Sequence, residues 1–143
     1  IGTSTGKLIT TGGGENVFVG NNCAPNMTTG AQNVAMGDNS LVMQTTVNGN
    51  VAIGDNAMYA NTSGSSNAAL GTSALNANTT GAGNTALGYN ALLVNTTAAY
   101  NTAVGNASLD ANTTGAETTA IGNAALSAQS TGTMNTALGK SAA

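Results

Sequence analysis

Few side chains in this sequence are equipped for chemistry. The charged residues are Lys7, Lys140, Glu15, Asp38, Asp55, Asp110 and Glu117, and there is no His or Arg. General acid–base catalysis draws on His, perturbed carboxylates or Lys, and here the carboxylates are scattered. Asp38 and Asp55 form the one pair with a regular spacing, 17 residues apart. If those residues stack, their carboxylates lie about 5 Å apart, close enough to share a cation. A Ca²⁺ site needs six to eight oxygen ligands, so two solvated carboxylates is the simpler reading. Ser and Thr are abundant but no base accompanies them as a nucleophilic pair requires. The Gly-Gly-Gly run at 12–14 lacks the Lys-Ser/Thr that completes a phosphate loop. Cys23 stands alone, which excludes an internal disulfide and points to a small buried residue. No catalytic residue, metal ligand or cofactor is expected.

The hydroxyl and amide residues hold more promise. Thr79-Thr80, Thr96-Thr97 and Thr113-Thr114 recur in step, as do Asn78, Asn95 and Asn112 just before them. Each Asn opens an Asn-x-Thr triplet, the acceptor pattern for N-linked sugar in a secretory pathway, and exposed Thr could carry O-linked sugar. A second column holds Thr85, Thr102, Thr119 and Thr136. Outward Thr ladders could bind ice or carbohydrate. The plainer alternative is that Thr hydrogen-bonds its own backbone at a bend, and that Asn stacks in side-chain ladders.

These residues recur because the chain repeats. The anchors Asn16, Asn33, Asn50, Asn67, Asn84, Asn101, Thr118 and Asn135 are 17 residues apart without an insertion. Four places on, every unit has Gly: Gly20, Gly37, Gly54, Gly71, Gly88, Gly105, Gly122 and Gly139. An aliphatic residue or Met precedes each Gly, Leu70 and Leu87 among them, and a second apolar column contains Leu75, Leu92, Leu109 and Leu126. A helical array needs a period above about 30, and Gly, Asn and Thr at this density disfavour helix. Two short segments per unit, punctuated by Gly and by Asn-Thr-Thr, predict an all-β fold. It is a parallel β-solenoid, or β-roll, of 17-residue coils over 16–143, with 1–15 a degenerate first coil or cap.

In that solenoid Leu70 with Leu87 and Leu75 with Leu92 are expected to form two apolar ladders inside a narrow tube, with Gly88 and its equivalents bending the chain at positive φ. The Ala column (Ala35, Ala52, Ala69, Ala86, Ala103, Ala120 and Ala137) then points the opposite way. Such a stripe would be a contact surface for another copy of the chain. Two large apolar groups per coil offset the ordering entropy poorly, so association into a trimer or fibre is expected. The chain stops in mid-repeat, which reads as a fragment of a longer array or an end that stacks on the next chain.

The stretch NTALGYNALLVNTTAAYNTAVG, residues 84–105, resembles the Asn-Thr-Ala-x-Gly repeats of bacterial surface proteins and bacteriophage tail-fibre proteins. It is similar, more loosely, to the head repeats of trimeric autotransporter adhesins, which form a trimeric left-handed β-roll from a shorter repeat. The likeness covers residues 16–143 and implies an extracellular, homo-oligomeric shaft or head on a cell or virion surface, with host-surface glycan as a further partner. Too few cations are present for a nucleic-acid footprint. No run reaches the roughly 18 apolar residues of a membrane helix. The expected function is that of a non-enzymatic structural shaft. The alternative is a binding solenoid for ice or carbohydrate using outward Thr and Asn.

Overall fold

A computed structural model describes residues 14–143, so most of the expected cap at 1–15 lies outside the described residues. Every coil contributes one three-residue strand: β1 Val17–Val19, β2 Val34–Met36, β3 Val51–Ile53, β4 Ala68–Leu70, β5 Thr85–Leu87, β6 Thr102–Val104, β7 Thr119–Ile121 and β8 Thr136–Leu138. The eight strands pair in chain order, all parallel, each residue beside its equivalent 17 positions away. The chain is a β-solenoid, and the 17-residue period of the sequence is the length of one circuit.

The bends follow from backbone freedom. Gly88 sits at φ 138, where an added Cβ would collide with the carbonyl of Gly105 in the next coil. Three further positions per coil take the left-handed conformation without always being Gly, exemplified by Asn90 (φ 55), Leu92 (φ 52) and Tyr100 (φ 61). Asn is suited to that region, but Leu is not, and each such Leu costs on the order of 1–2 kcal/mol. Burial offsets that cost. Leu41, Met58, Leu75, Leu92 and Leu109 are all fully buried, in the expected inner ladder.

The other expected ladder is inverted. Ala35, Ala52, Ala69, Ala86, Ala103 and Ala120 line the interior, whereas Leu70 and Leu87 are 47% and 42% exposed. Alternation along a strand sends adjacent residues to opposite faces, so either Ala86 or Leu87 must point in. The inner Ala column and the Leu92 column share one buried cluster with Ala74, Ala91 and their equivalents. A lumen already filled from the opposite wall by Leu has room on the strand side for a methyl group only. The surface that approaches the Ala stripe is therefore the far wall of the same tube, and not a second chain.

The remaining core is polar and satisfied. Each anchor Asn from Asn16 to Asn101 accepts from the backbone of the following coil through Oδ1, as Asn67 does from Asn84 N–H at 2.8 Å. Its amide donates across its own coil, Asn67 Nδ2 to Gly81 O at 2.9 Å, which ties the end of the circuit to its start. A second amide ladder runs beside it. Asn78 donates to Asn61 Oδ1 (2.8 Å), Asn95 to Asn78 (3.0 Å) and Asn112 to Asn95 (3.2 Å).

Candidate functional surfaces

The acidic pair lies on the outside in one column, as its spacing predicts. Asn21 Nδ2 donates to Asp38 Oδ1 at 2.9 Å, and Asn56 Nδ2 donates to Asp55 Oδ2 at 3.1 Å. Among the described residues no three His, Cys, Asp or Glu side chains cluster as metal ligands. Cys23 is buried within the first coil, its Sγ 3.1 Å from Ser40 Oγ and 3.2 Å from the carbonyl of Ala35. Burial pushes its thiol pKa up, with the Ser40 hydrogen bond pulling the other way.

The Thr doublets divide into two roles. The first Thr of each doublet serves the corner: Thr79 Oγ1 donates to Thr96 O at 2.9 Å, and Thr96 Oγ1 donates to Thr113 O at 3.2 Å. The backbone N–H groups of Thr79 and Thr80 donate to that same Thr96 carbonyl. Thr113 repeats the bond, to Ser130 O. The second Thr of each doublet is different. Thr80, Thr97 and Thr114 are exposed, and their hydroxyls bond to no other described residue. They continue a column of Thr29, Thr46, Ser63 and Thr131, in which every coil supplies a hydroxyl.

Asn78, Asn95 and Asn112 are fully buried, with both amide hydrogens committed to the inner ladder and to carbonyls such as Gly81 O and Ala98 O. They offer the folded protein no surface for a glycan, and the Asn-x-Thr pattern at these positions is the imprint of the ladder and the corner. Of the Gly and Leu positions singled out from the repeat, Gly37, Gly54, Gly71, Gly88, Gly105, Gly122 and Gly139 all take positive φ at the bend. Leu75, Leu92 and Leu109 are inside, with Leu126 nearly so.

The surface missed from the sequence is the outward face of the sheet. Its first column holds Val17, Val34, Val51, Ala68, Thr85, Thr102, Thr119 and Thr136; its second holds Val19, Met36, Ile53, Leu70, Leu87, Val104, Ile121 and Leu138. No charged residue interrupts either column. Where Ala68 replaces the Val or Thr of neighbouring coils the face has a notch of about 190 Å³. The notch is walled by Val51, Leu70, Thr85 and Leu87 and floored by Ala69 and Ala86. The signal for this face was present in the sequence as the pairing of a constant Ala with a constant large aliphatic neighbour. Alternation requires one of them to be outside.

No helix of the described residues is long and apolar enough to cross a membrane. No protein-family model, curated protein or solved structure matches the chain.

Proposed function

We propose that this chain is a non-enzymatic structural repeat, a length of the shaft or head of an extracellular fibre, which assembles with copies of itself through the outward face of its sheet. The supporting observation is the unbroken ladder of aliphatic and Met side chains from Val19 to Leu138 on the outer face of all eight strands, with Ile53 and Val104 half-buried and the others exposed. Contiguous apolar patches beyond a few hundred Å² are uncommon on monomers and mark association surfaces. The core supports the same reading, because identical circuits joined by backbone and amide ladders give length and stiffness rather than a site.

Sedimentation velocity over a concentration series tests the proposal. The chain should sediment as a discrete oligomer, and Leu70→Asp with Leu87→Asp should return it to monomer without loss of its β circular dichroism. A wild-type chain that stays monomeric at every concentration would overturn the assembly reading.

A second reading rests on the other surface, the exposed hydroxyl column of Thr29 through Thr131, whose side chains are unused by the fold. An ordered hydroxyl ladder suits ice or a glycan chain. Thermal hysteresis, or retention on a polysaccharide column, abolished by Thr80→Val with Thr97→Val and Thr114→Val would favour it.

A further inference from the structure

We infer that copies of this chain pack with their coils in register and running the same way, and that Leu70 of one copy fills the Ala68 notch of the next. The inference rests on the self-assembly proposed above and adds orientation, register and a contact to it.

The face is large enough for a second copy. Eight strands span seven intervals of about 4.8 Å, roughly 34 Å, and its two columns with their side-chain flanks are about 15 Å wide. That is on the order of 500 Å² per copy and about 1,000 Å² for two, the lower bound for a specific interface. With no charge on the face, nothing but shape distinguishes one docking from another.

Only two symmetric pairings overlap the faces completely. In the first, the rotation axis lies along the solenoid. Each coil then meets the same coil of the other copy, with strands opposed, so the third residue of a strand faces the first residue of its counterpart. Val17 meets Val19, Val34 meets Met36, Val51 meets Ile53, and Ala68 meets Leu70. The smallest residue of the first column is thus placed against a long side chain, and the notch is filled. A three-fold axis along the solenoid preserves the same contact between neighbouring copies.

In the second pairing the axis runs along the strands and the stacks are antiparallel. The fourth coil then meets the fifth, first column against first column. Ala68 faces Thr85, Leu70 faces Leu87, and both copies retain an open apolar notch. An unfilled cavity in an interface forfeits its contacts, so the parallel pairing is favoured. It also keeps the Val-bearing coils together and the Thr-bearing coils together.

Two measurements test this on the full chain, with Cys23→Ala as background, a residue that other coils already carry at Ala57, Ala74 and Ala91. The first is cross-linking of Val19→Cys and Leu138→Cys variants with a short bis-maleimide. Val19→Cys alone should cross-link to itself, whereas a mixture should give no Val19–Leu138 product. The second is sedimentation of Ala68→Phe. The ring exceeds the Val or Thr that this column carries opposite a large side chain in other coils and collides with the incoming Leu70, so association should weaken about tenfold, with the double change Ala68→Phe and Leu70→Ala restoring it. A Val19–Leu138 product, or tighter association of Ala68→Phe, would overturn the parallel pairing while leaving self-assembly intact. A monomeric Cys23→Ala background would overturn both.

Discussion

Leu87 and Leu92 belong to the same coil and carry the same side chain, yet the structure assigns them opposite roles. Truncating each to Ala separates the core from the outer face of the sheet. Leu92 is fully buried between Leu75 and Leu109, in a stack that continues above and below. Its removal loses the transfer energy of the deleted methyl groups and leaves a cavity that the ladder cannot close without shortening the coil spacing. Leu→Ala at such sites costs about 3 kcal/mol, with a usual range of roughly 2–5. The strain at φ 52 gives no relief, because Ala at that position would keep the Cβ that causes it. Leu87 is 42% exposed, so a single chain loses only part of a full burial, about 1 kcal/mol. Under the self-assembly proposed above, the rest of its contribution arises only when a second copy covers it. Urea unfolding followed by circular dichroism, repeated from high to low protein concentration, measures both. At high dilution Leu92→Ala should be the more damaging by about 2 kcal/mol, and its effect should not change with concentration. The effect of Leu87→Ala should grow as concentration rises. Leu87→Ala as costly as Leu92→Ala at every dilution would refute the placement of the aliphatic ladder outside the tube.

Gly88→Ala should be worse than either, because a Cβ there is both in a conformation reserved for Gly and within 2.6 Å of the Gly105 carbonyl carbon. The strain alone is on the order of 1–3 kcal/mol, and limited proteolysis should show the array opening at that coil. The Cys23 thiol carries a pKa raised by burial, so its contribution is complete below the unfolded thiol pKa and is lost as pH climbs past it. Relative to Cys23→Ala, the wild-type chain should hold constant stability through neutral pH and lose it above about pH 8.5, where an unfolded thiol begins to ionise. A parallel pH dependence of the two chains would show that Cys23 is not the group responsible.

Much of the fold was legible because stacking turns spacing into geometry. The constant interval from Asn16 to Asn135 gave the circuit length, the Gly column gave the bends, and the Leu92 column gave half of the core. The Asn ladder at 78, 95 and 112 was also readable as a ladder, but not that it ran through the interior. An amide in a column looks the same whether it faces water or the lumen, and only the Gly81 and Ala98 carbonyls that receive its protons decide the matter. The misplacement of Leu70 and Leu87 has a related cause. Hydrophobicity assigned the larger residue of the Ala-Leu pair to the core, as it would in a thick domain. In a tube one side chain wide, the opposite wall fills the lumen first, and volume rather than hydrophobicity selects what the strand turns inward. The Thr doublet illustrates a third limit. A doublet of identical residues was readable as a corner, but not which hydroxyl the corner uses: the Thr96 carbonyl engages that of Thr79 and leaves that of Thr80 free.

The inward amides have a consequence for how such a rod can be specialised. Asn67, Asn84 and Asn101 satisfy backbone groups of the neighbouring coil, and Asn78 and Asn95 satisfy one another, so the polar side chains that water would otherwise hold are spent inside the tube. Each circuit is closed without help from its outer surface. The first column of the sheet face can then pass from Val17, Val34 and Val51 through Ala68 to Thr85, Thr102, Thr119 and Thr136 while the inner Ala and Leu columns continue unchanged. A compact domain seldom permits this, since its surface and core share the same few elements. In a solenoid of quasi-independent coils the interior specifies length and the exterior specifies contact, and substitutions in one are nearly silent in the other. The change from Val to Thr midway along an uninterrupted core is therefore a change of the outer surface alone, and under the self-assembly proposed above the Val half suits a dry contact between copies and the Thr half a wetter one.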